Sequence, residues 1–402
     1  MIYDNLVVGA GAAGLFFGAT YPGTCKGMIL EKTKRIGTKL LMSGNGQCNI
    51  THDGSIKDFI ACYGKNGGRI RSCLYQYHND HLRQFLADHG VKTFAREDGK
   101  IFPVSMDAKE VRDMLQAQCN ANGFDIRCNA EVTGIQKDGD LWNVTCGDLI
   151  LHARHVVLAT GGCSYPTSGS DGSIYAVLQR DLDLDIVPVK PALSPVKVKD
   201  YPYTEVSGIA FPSGHAMILQ QDKLVAENVG GLLLTHRDFS GPAVMNISKY
   251  GTVGGQLKLN YIYPMKFDEA YGKLKKAMEK SKENTANVVA GTFDLPKRFA
   301  RIVVERCGNS PKELAKALTG DTFEITSIGS YNQAMATAGG IALSEINLKT
   351  MELKNHPGLY AIGEVVDIDG ITGGYNLQFA YSSACAAGVA CVAGAASVAG
   401  GK

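Results

Sequence analysis

No two of the eleven cysteines in this 402-residue chain stand in C-x-x-C spacing. That argues against a zinc ribbon or a thioredoxin-like pair, both of which need thiols two residues apart. The odd count and irregular scatter point instead to buried free thiols in a reducing compartment. Net charge is nearly absent at +2, so no partner follows from the global balance. The start, MIYDNLVVGAGAAG, lacks a basic leader and has glycines where the apolar stretch of a signal peptide would be, so a cytoplasmic location is expected. The apolar tail Ala384–Gly400 lacks bulky residues. It reads as a tightly packed core helix, not a membrane span. No internal repeat or low-complexity segment stands out.

What is present suits two or three domains with a sizeable core, since 45% of residues are hydrophobic. Residues 4–9 read as a buried strand, about 12–19 as a helix and 28–32 as a second strand, the opening of a parallel sheet. Residues 34–52 form a long Gly/Ser/Asn-rich connection, a length that is normally functional. Residues 72–90 carry helical periodicity and end at Gly90. Asp107 is placed to cap a helix over 108–122, with Glu110 completing a capping box. Strands follow over 125–151 and 155–162. The prolines of 187–196 mark the exit from the first domain. Residues 196–265 read as strands with turns at 212–214, 221–223 and 254–255. Residues 267–318 are helical and basic, 321–345 return to strands, and 358–364 form a final apolar strand before the closing helix. Residues 249–316 hold 14 Lys and Arg against seven Asp and Glu, a charge run that a solvated helical face also explains.

Gly9-Ala-Gly11-Ala-Ala13-Gly14 follows a strand and opens a helix, and this context makes the G-x-G-x-x-G pattern specific. Gly9 permits the tight turn, Gly11 admits a pyrophosphate and Gly14 lets the helix pack on the strand. Glu31 ends the second strand, placed to accept from both hydroxyls of an adenosine ribose. The same acid repels a 2′-phosphate, so NADP is disfavoured there. The fingerprint alone leaves FAD and NAD open. Three further features favour FAD: the loop GTKLLMSGNGQCNIT at 37–51, the strand end Ala159-Thr160-Gly161-Gly162, and the terminal blocks Gly363-Glu364 and 372–378. The last opens a helix whose N-terminus suits negative charge at flavin N1 and O2. The cofactor-binding residues expected are therefore Gly9, Gly11, Ala13, Gly14, Glu31 and Lys32, then Lys39, Ser43, Gly44, Cys48 and Asn49. Val132, Ala159, Thr160, Gly161, Gly363, Glu364, Asp367, Gly374, Asn376 and Leu377 complete the set. No metal site is expected.

These blocks, with GKIFP at 99–103, ATGGCSYPTSGSDG at 159–172, PALSPV at 191–196, GGLLLTHRDFSGPA at 230–243, ATAGGI at 336–341 and GLYAIGEVVDIDGITGGYNLQFA at 358–380, resemble one bacterial flavoprotein family. Its members are described as BaiN-like, YhiN-like or aminoacetone-oxidase-like. The resemblance runs over nearly the whole chain. It implies an α/β fold: a discontinuous Rossmann-type FAD-binding domain with an inserted β-barrel-like domain and a helical cap. The corresponding boundaries are 1–190 plus 332–402 for the FAD domain, 191–266 plus 319–331 for the barrel and 267–318 for the cap. Gln47 departs from the family, which usually has Arg there.

The resemblance implies an FAD-dependent oxidoreductase and leaves its substrate open. The leading reading is a hydride-transfer reductase of a conjugated C=C bond acting on a small molecule. The alternatives are an oxidase of a small amino ketone, and a reductase forming dihydrouridine in ribosomal RNA that docks through the basic cap. No second G-x-G-x-x-G is present, so NAD(P)H as reductant would dock only transiently. His236 and Tyr375 are the candidate catalytic side chains, the first as an acid or hydrogen-bond donor and the second lining the ring. Cys48 lies where disulfide reductases hold a redox pair, but the next cysteine, Cys62, is too distant to complete one.

Overall fold

The computed structural model describes residues 1–399. The chain divides into two compact units, Met1–Lys190 with Ala336–Lys402, and Pro191–Met335.

The first unit is built on a sheet with five parallel strands in the order Leu359–Ala361, Leu149–Leu158, Ile2–Val8, Gly27–Leu30 and Phe124–Arg127. Strand Ile2–Val8 is central because its inner residues are apolar on both faces. Leu6 and Val7 are fully buried, as a parallel strand covered on both sides requires. Short strands Glu352–Leu353 and Ile346–Asn347 extend one edge, and the hairpin Val132–Asp138/Leu141–Cys146 pairs back onto Leu149–Leu158. The first and last helices, Ala12–Thr20 and Tyr375–Ala399, pack together. Phe16 meets Tyr381 edge to face at 5.5 Å. Among the described residues, Tyr375–Gly394 is the one stretch long and apolar enough to cross a membrane. Its apolar window is 67% buried within the unit, so it is a core helix.

The second unit closes six strands into a barrel, Val196–Val198, Phe239–Ser240, Lys223–Leu234, Ala210–Gln220, Gln256–Asn260 and Asp321–Ile328. Four helices over residues 267–320 lie between the last two strands. They share one core with the barrel: Leu274, Val289, Phe299, Val303 and Leu318 pack with Phe211, Leu257 and Phe239.

Four local expectations are corrected. The loop after the second strand contains a helix, Thr38–Met42. The periodic stretch 72–90 is two helices, Arg71–Gln76 and Asn79–Asp88, because the His78 side chain accepts from the Asp80 amide and starts a new helix. Asp107 does cap helix Ala108–Ala121, but the Glu110 carboxylate accepts from the Ser105 hydroxyl, so no capping box closes. Pro212–Gly214 is a register shift inside strand Ala210–Gln220, not a turn.

Candidate functional site

In the first unit, glycine turns converge at the carboxyl ends of the parallel strands. Gly9 has φ +105°, and a Cβ there would stand 2.6 Å from the Ala159 carbonyl oxygen. A Cβ on Gly14 would stand 2.0 Å from the Gly9 carbonyl oxygen, and one on Gly363 would stand 2.7 Å from Ala13 Cβ. These contacts bring residues 9–14, 159–161 and 363 to one place. Gly11 is the contrast: nothing lies within 4 Å of a Cβ built on it. The helix that it opens, Ala12–Thr20, has no side-chain cap. Open space beside uncapped N–H groups at a helix N-terminus suits an anion.

Glu31 is buried at 8% exposure. Its Oε2 accepts from the Ala10 amide at 3.0 Å, and its Oε1 accepts from the Thr33 amide and hydroxyl at 2.8 Å each. A carboxylate offers about four acceptor positions, so capacity remains for about one further donor. Lys32, by contrast, is turned to protein partners, at 2.6 Å from Asp171 and 3.4 Å from Glu131.

Lys39 and Glu364, 325 residues apart, form an ion pair at 2.6 Å. Glu364 Oε1 also accepts from the Ser164 hydroxyl at 2.9 Å and the Thr337 amide at 2.7 Å, and Lys39 donates to Ser164. Asp367 accepts from Asn66 Nδ2 at 3.2 Å and the Gly339 amide at 3.2 Å. Sequence reasoning singled out Lys39, Glu364 and Asp367 but not Ser164, Thr337 or Asn66. These are small polar residues whose partners become visible only when distant segments meet.

The loop Ser43–Asn49 is shaped by its own bonds. Ser43 Oγ donates to Leu40, the Cys48 amide donates to the Ser43 carbonyl at 2.9 Å, and Asn49 Nδ2 donates to the Thr51 and Ile101 carbonyls. A Cβ on Gly44 would press the Asn49 amide at 2.9 Å. Burial pushes the Cys48 thiol up to about 12, against a hydrogen bond with Ser43 that lowers it. The thiol therefore stays protonated at neutral pH, and a thiolate redox role finds no support. Where the family usually has Arg, Gln47 Oε1 accepts from Arg96 at 2.7 Å, and the Arg96 guanidinium lies 3.9 Å from the Phe102 ring centre.

At the head of the closing helix, Gly374 lies against the Thr51 backbone, and Asn376 exchanges two hydrogen bonds with Gly370. Gln378, fully buried, accepts from the Thr51 hydroxyl and donates to the Tyr77 carbonyl. Leu377 is half-buried and Val132 buried. Tyr375 is enclosed: it stacks on His52 at 5.3 Å and meets Phe59 and Tyr63 edge on. Burial, then a hydrogen bond with Cys62, raises its phenol above the usual range. His236 is exposed on a turn of the second unit, next to Thr235, whose amide donates to the Asp238 carbonyl.

These residues fit FAD. The open face at Gly11 has room for a pyrophosphate, and Glu31 has about one acceptor position left for a ribose hydroxyl. Thr160 Oγ1 and Ser170 Oγ, both beside Gly161, are buried without a hydrogen-bond partner, a state that a polar ligand relieves. Among the described residues, no cluster of three metal-ligating side chains occurs.

The HI0933-like protein Rossmann domain family matches residues 3–390. The ribosomal RNA dihydrouridine synthase of Escherichia coli (strain K12) is 29% identical over 401 residues, 96% of each chain. The 3-dehydro-bile acid delta(4,6)-reductase of Clostridium scindens is 28% identical over 404 residues, 95% of this chain and 97% of its own. The fold is similar to that of the 3-ketosteroid delta1-dehydrogenase of Sterolibacterium denitrificans, with TM-score 0.54 and 11% identity over 98% of this chain and 100% of that one. The chain belongs to the HI0933-like family of Rossmann-type flavoproteins and is an FAD-dependent oxidoreductase.

Proposed function

We propose that this protein reduces a C=C bond conjugated to a carbonyl, with a small-molecule substrate. The observation that carries the reading is the seat itself. The uncapped turn at Gly11 and the head of the long closing helix belong to one unit, with Lys39 and Glu364 paired between them in sequence. Bound FAD supplies hydride to an electrophilic carbon. In this chain, Gly9, Gly11, Ala13 and Gly14 hold the pyrophosphate and Glu31 the ribose. Lys39, Glu364 and Asp367 fix the turns that line the cofactor. The loop Ser43–Asn49, the strand end Ala159–Gly161 and residues Gly374–Leu377 complete the seat. Helix N-terminal amides at Gly374–Asn376 favour the negative charge that a flavin gains on reduction. Tyr375, enclosed by His52, Phe59 and Tyr63, acts by packing.

The two relatives support this acceptor class. Forming dihydrouridine saturates a C=C conjugated with a ring carbonyl, and a delta(4,6)-reductase of a 3-oxo steroid does the same. The reductant is NAD(P)H, docked transiently. All eleven cysteines are free, which suits a reducing, cytoplasmic setting. RNA as substrate is the second reading, favoured by the solvent-facing Lys276 and Lys280 on helix Phe267–Lys280. Anaerobic stopped-flow mixing of reduced enzyme with an enone steroid, a uridine-containing RNA fragment and, separately, oxygen tests the proposal. Fast flavin reoxidation by the enone is expected. Reoxidation by oxygen alone overturns the reading in favour of an oxidase.

A further inference from the structure

A concavity bearing several cationic side chains lies in the first unit. It encloses about 720 Å³ and is lined by Arg69, Arg71, Ser72, Tyr75, Asn347 and Lys349 among others. Arg69, Arg71 and Lys349 are exposed. Among the described residues none of the three has an ion-pair partner, whereas Lys32, Lys39 and Lys100 of the same unit are all paired. Uncompensated cations gathered on one concave surface raise the local potential and attract phosphate. Arginine adds a planar fork matched to phosphate oxygens. The ring of Tyr75, 52% exposed, stands in the same lining. An exposed aromatic beside arginines suits a stacked base.

The position is not arbitrary. Asn347 ends strand Ile346–Asn347, and the turn after it is pinned at the carboxyl end of strand Leu359–Ala361, because the Ala361 amide donates to the Met351 carbonyl. The other wall, residues 68–75, follows Asn66, which holds Asp367. Ligands of open α/β sheets collect along this carboxyl edge.

We propose that this concavity is a nucleotide-binding subsite, with phosphate on Arg69, Arg71 and Lys349 and a base on Tyr75. The nucleotide comes either from a dinucleotide reductant or from an RNA strand. The proposal extends the reductase reading but does not depend on which acceptor is reduced. The test uses the full-length FAD-loaded protein, wild type, Arg69→Ala/Arg71→Ala and Tyr75→Ala. Two probes are used: NADPH, through the concentration dependence of flavin reduction, and a labelled single-stranded RNA, through anisotropy at several salt concentrations. The double variant is expected to weaken at least one probe about tenfold or more, and Tyr75→Ala the same probe several-fold. Loss of NADPH alone assigns a dinucleotide. Loss of RNA alone, with a log–log salt slope shallower by about 0.7 per phosphate contact removed, assigns RNA. Unchanged affinity for both probes overturns the proposal. Reoxidation of dithionite-reduced variants by an enone steroid should remain at the wild-type rate, which separates failure of this site from failure of the reductase reading.

Discussion

Both units contain a carboxylate fastened by a cation and further hydrogen-bond donors, Asp321 in one and Glu364 in the other, and their surroundings differ. In the inserted unit, Asp321 is 6% exposed and takes both guanidinium nitrogens of Arg306, at 2.9 and 3.0 Å, with the Tyr203 and Tyr261 hydroxyls at 2.8 and 3.0 Å. Around it stand Phe299 and Phe323, fastening helix Lys297–Cys307 to the barrel wall. In the flavin unit, Glu364 is tied to Lys39, Ser164 and Thr337, one from each of three separate segments, beside a turn with open space at Gly11. Similar chemistry locks a core in one place and joins three loop segments in the other. What differs is the neighbourhood, aromatic and closed against glycine-lined and open.

Breaking the closed cluster gives the largest expected effect. Asp321→Ala leaves the Arg306 charge without its carboxylate and should cost about 3–5 kcal/mol, read as a fall in the urea midpoint. FAD affinity of the protein still folded should stay within about twofold. A large loss of FAD affinity with intact stability would reverse the assignment. Glu364→Ala is the mirror experiment. Losing charge-assisted bonds worth about 1.5–3 kcal/mol should weaken FAD by about ten- to a hundredfold by titration of the apoprotein. Its unfolding midpoint should move less than that of Asp321→Ala.

Alkaline pH sharpens the contrast. Ten of the eleven thiols lie in the flavin unit, Cys307 alone in the other. Burial holds Cys48 and Cys119 up to about 12 from 9.0. A thiol whose folded pKa is raised stabilises fully below its unfolded pKa, and that stability is lost as pH rises through the folded value. Above about pH 9 the unfolded thiols ionise first, at up to about 1.4 kcal/mol per pH unit for each. Urea midpoints at pH 8 and 10.5, followed by flavin-unit and barrel probes separately, should fall more for the flavin unit. Gly11→Ala gives the smallest change. Gly11 has φ −77° and free space at Cβ, so the apoprotein should gain about 0.4–1 kcal/mol while FAD binding weakens. Tighter FAD binding by this variant would show that the pyrophosphate does not lie there.

The parallel flavin fold was legible because its signals are local. A buried apolar strand, a glycine turn, a helix and an acid at the next strand end all occur within 31 residues. The Asp107 cap was equally local. The split of 72–90 at His78 was not legible, because it depends on an imidazole capping a new helix inside a continuing apolar pattern. Nor was the role of Gln47, whose partner Arg96 arrives from 49 residues away. Ser164 and Thr337 carry no pattern of their own and take meaning only from Glu364. The enclosure of Tyr375 by His52 and Phe59 likewise arises where segments more than 300 residues apart meet, not from spacing in sequence.

The central claim is an FAD seat anchored at its adenosine half by the Gly9–Gly14 turn and Glu31. Titrating the deflavinated protein with FAD and with FMN, followed by flavin fluorescence, tests it most directly. One FAD should bind per chain, with FMN about a hundredfold weaker or more, a difference of about 2.8 kcal/mol. Equal affinity for the two flavins would contradict the account, because FMN reaches neither the turn nor the acid.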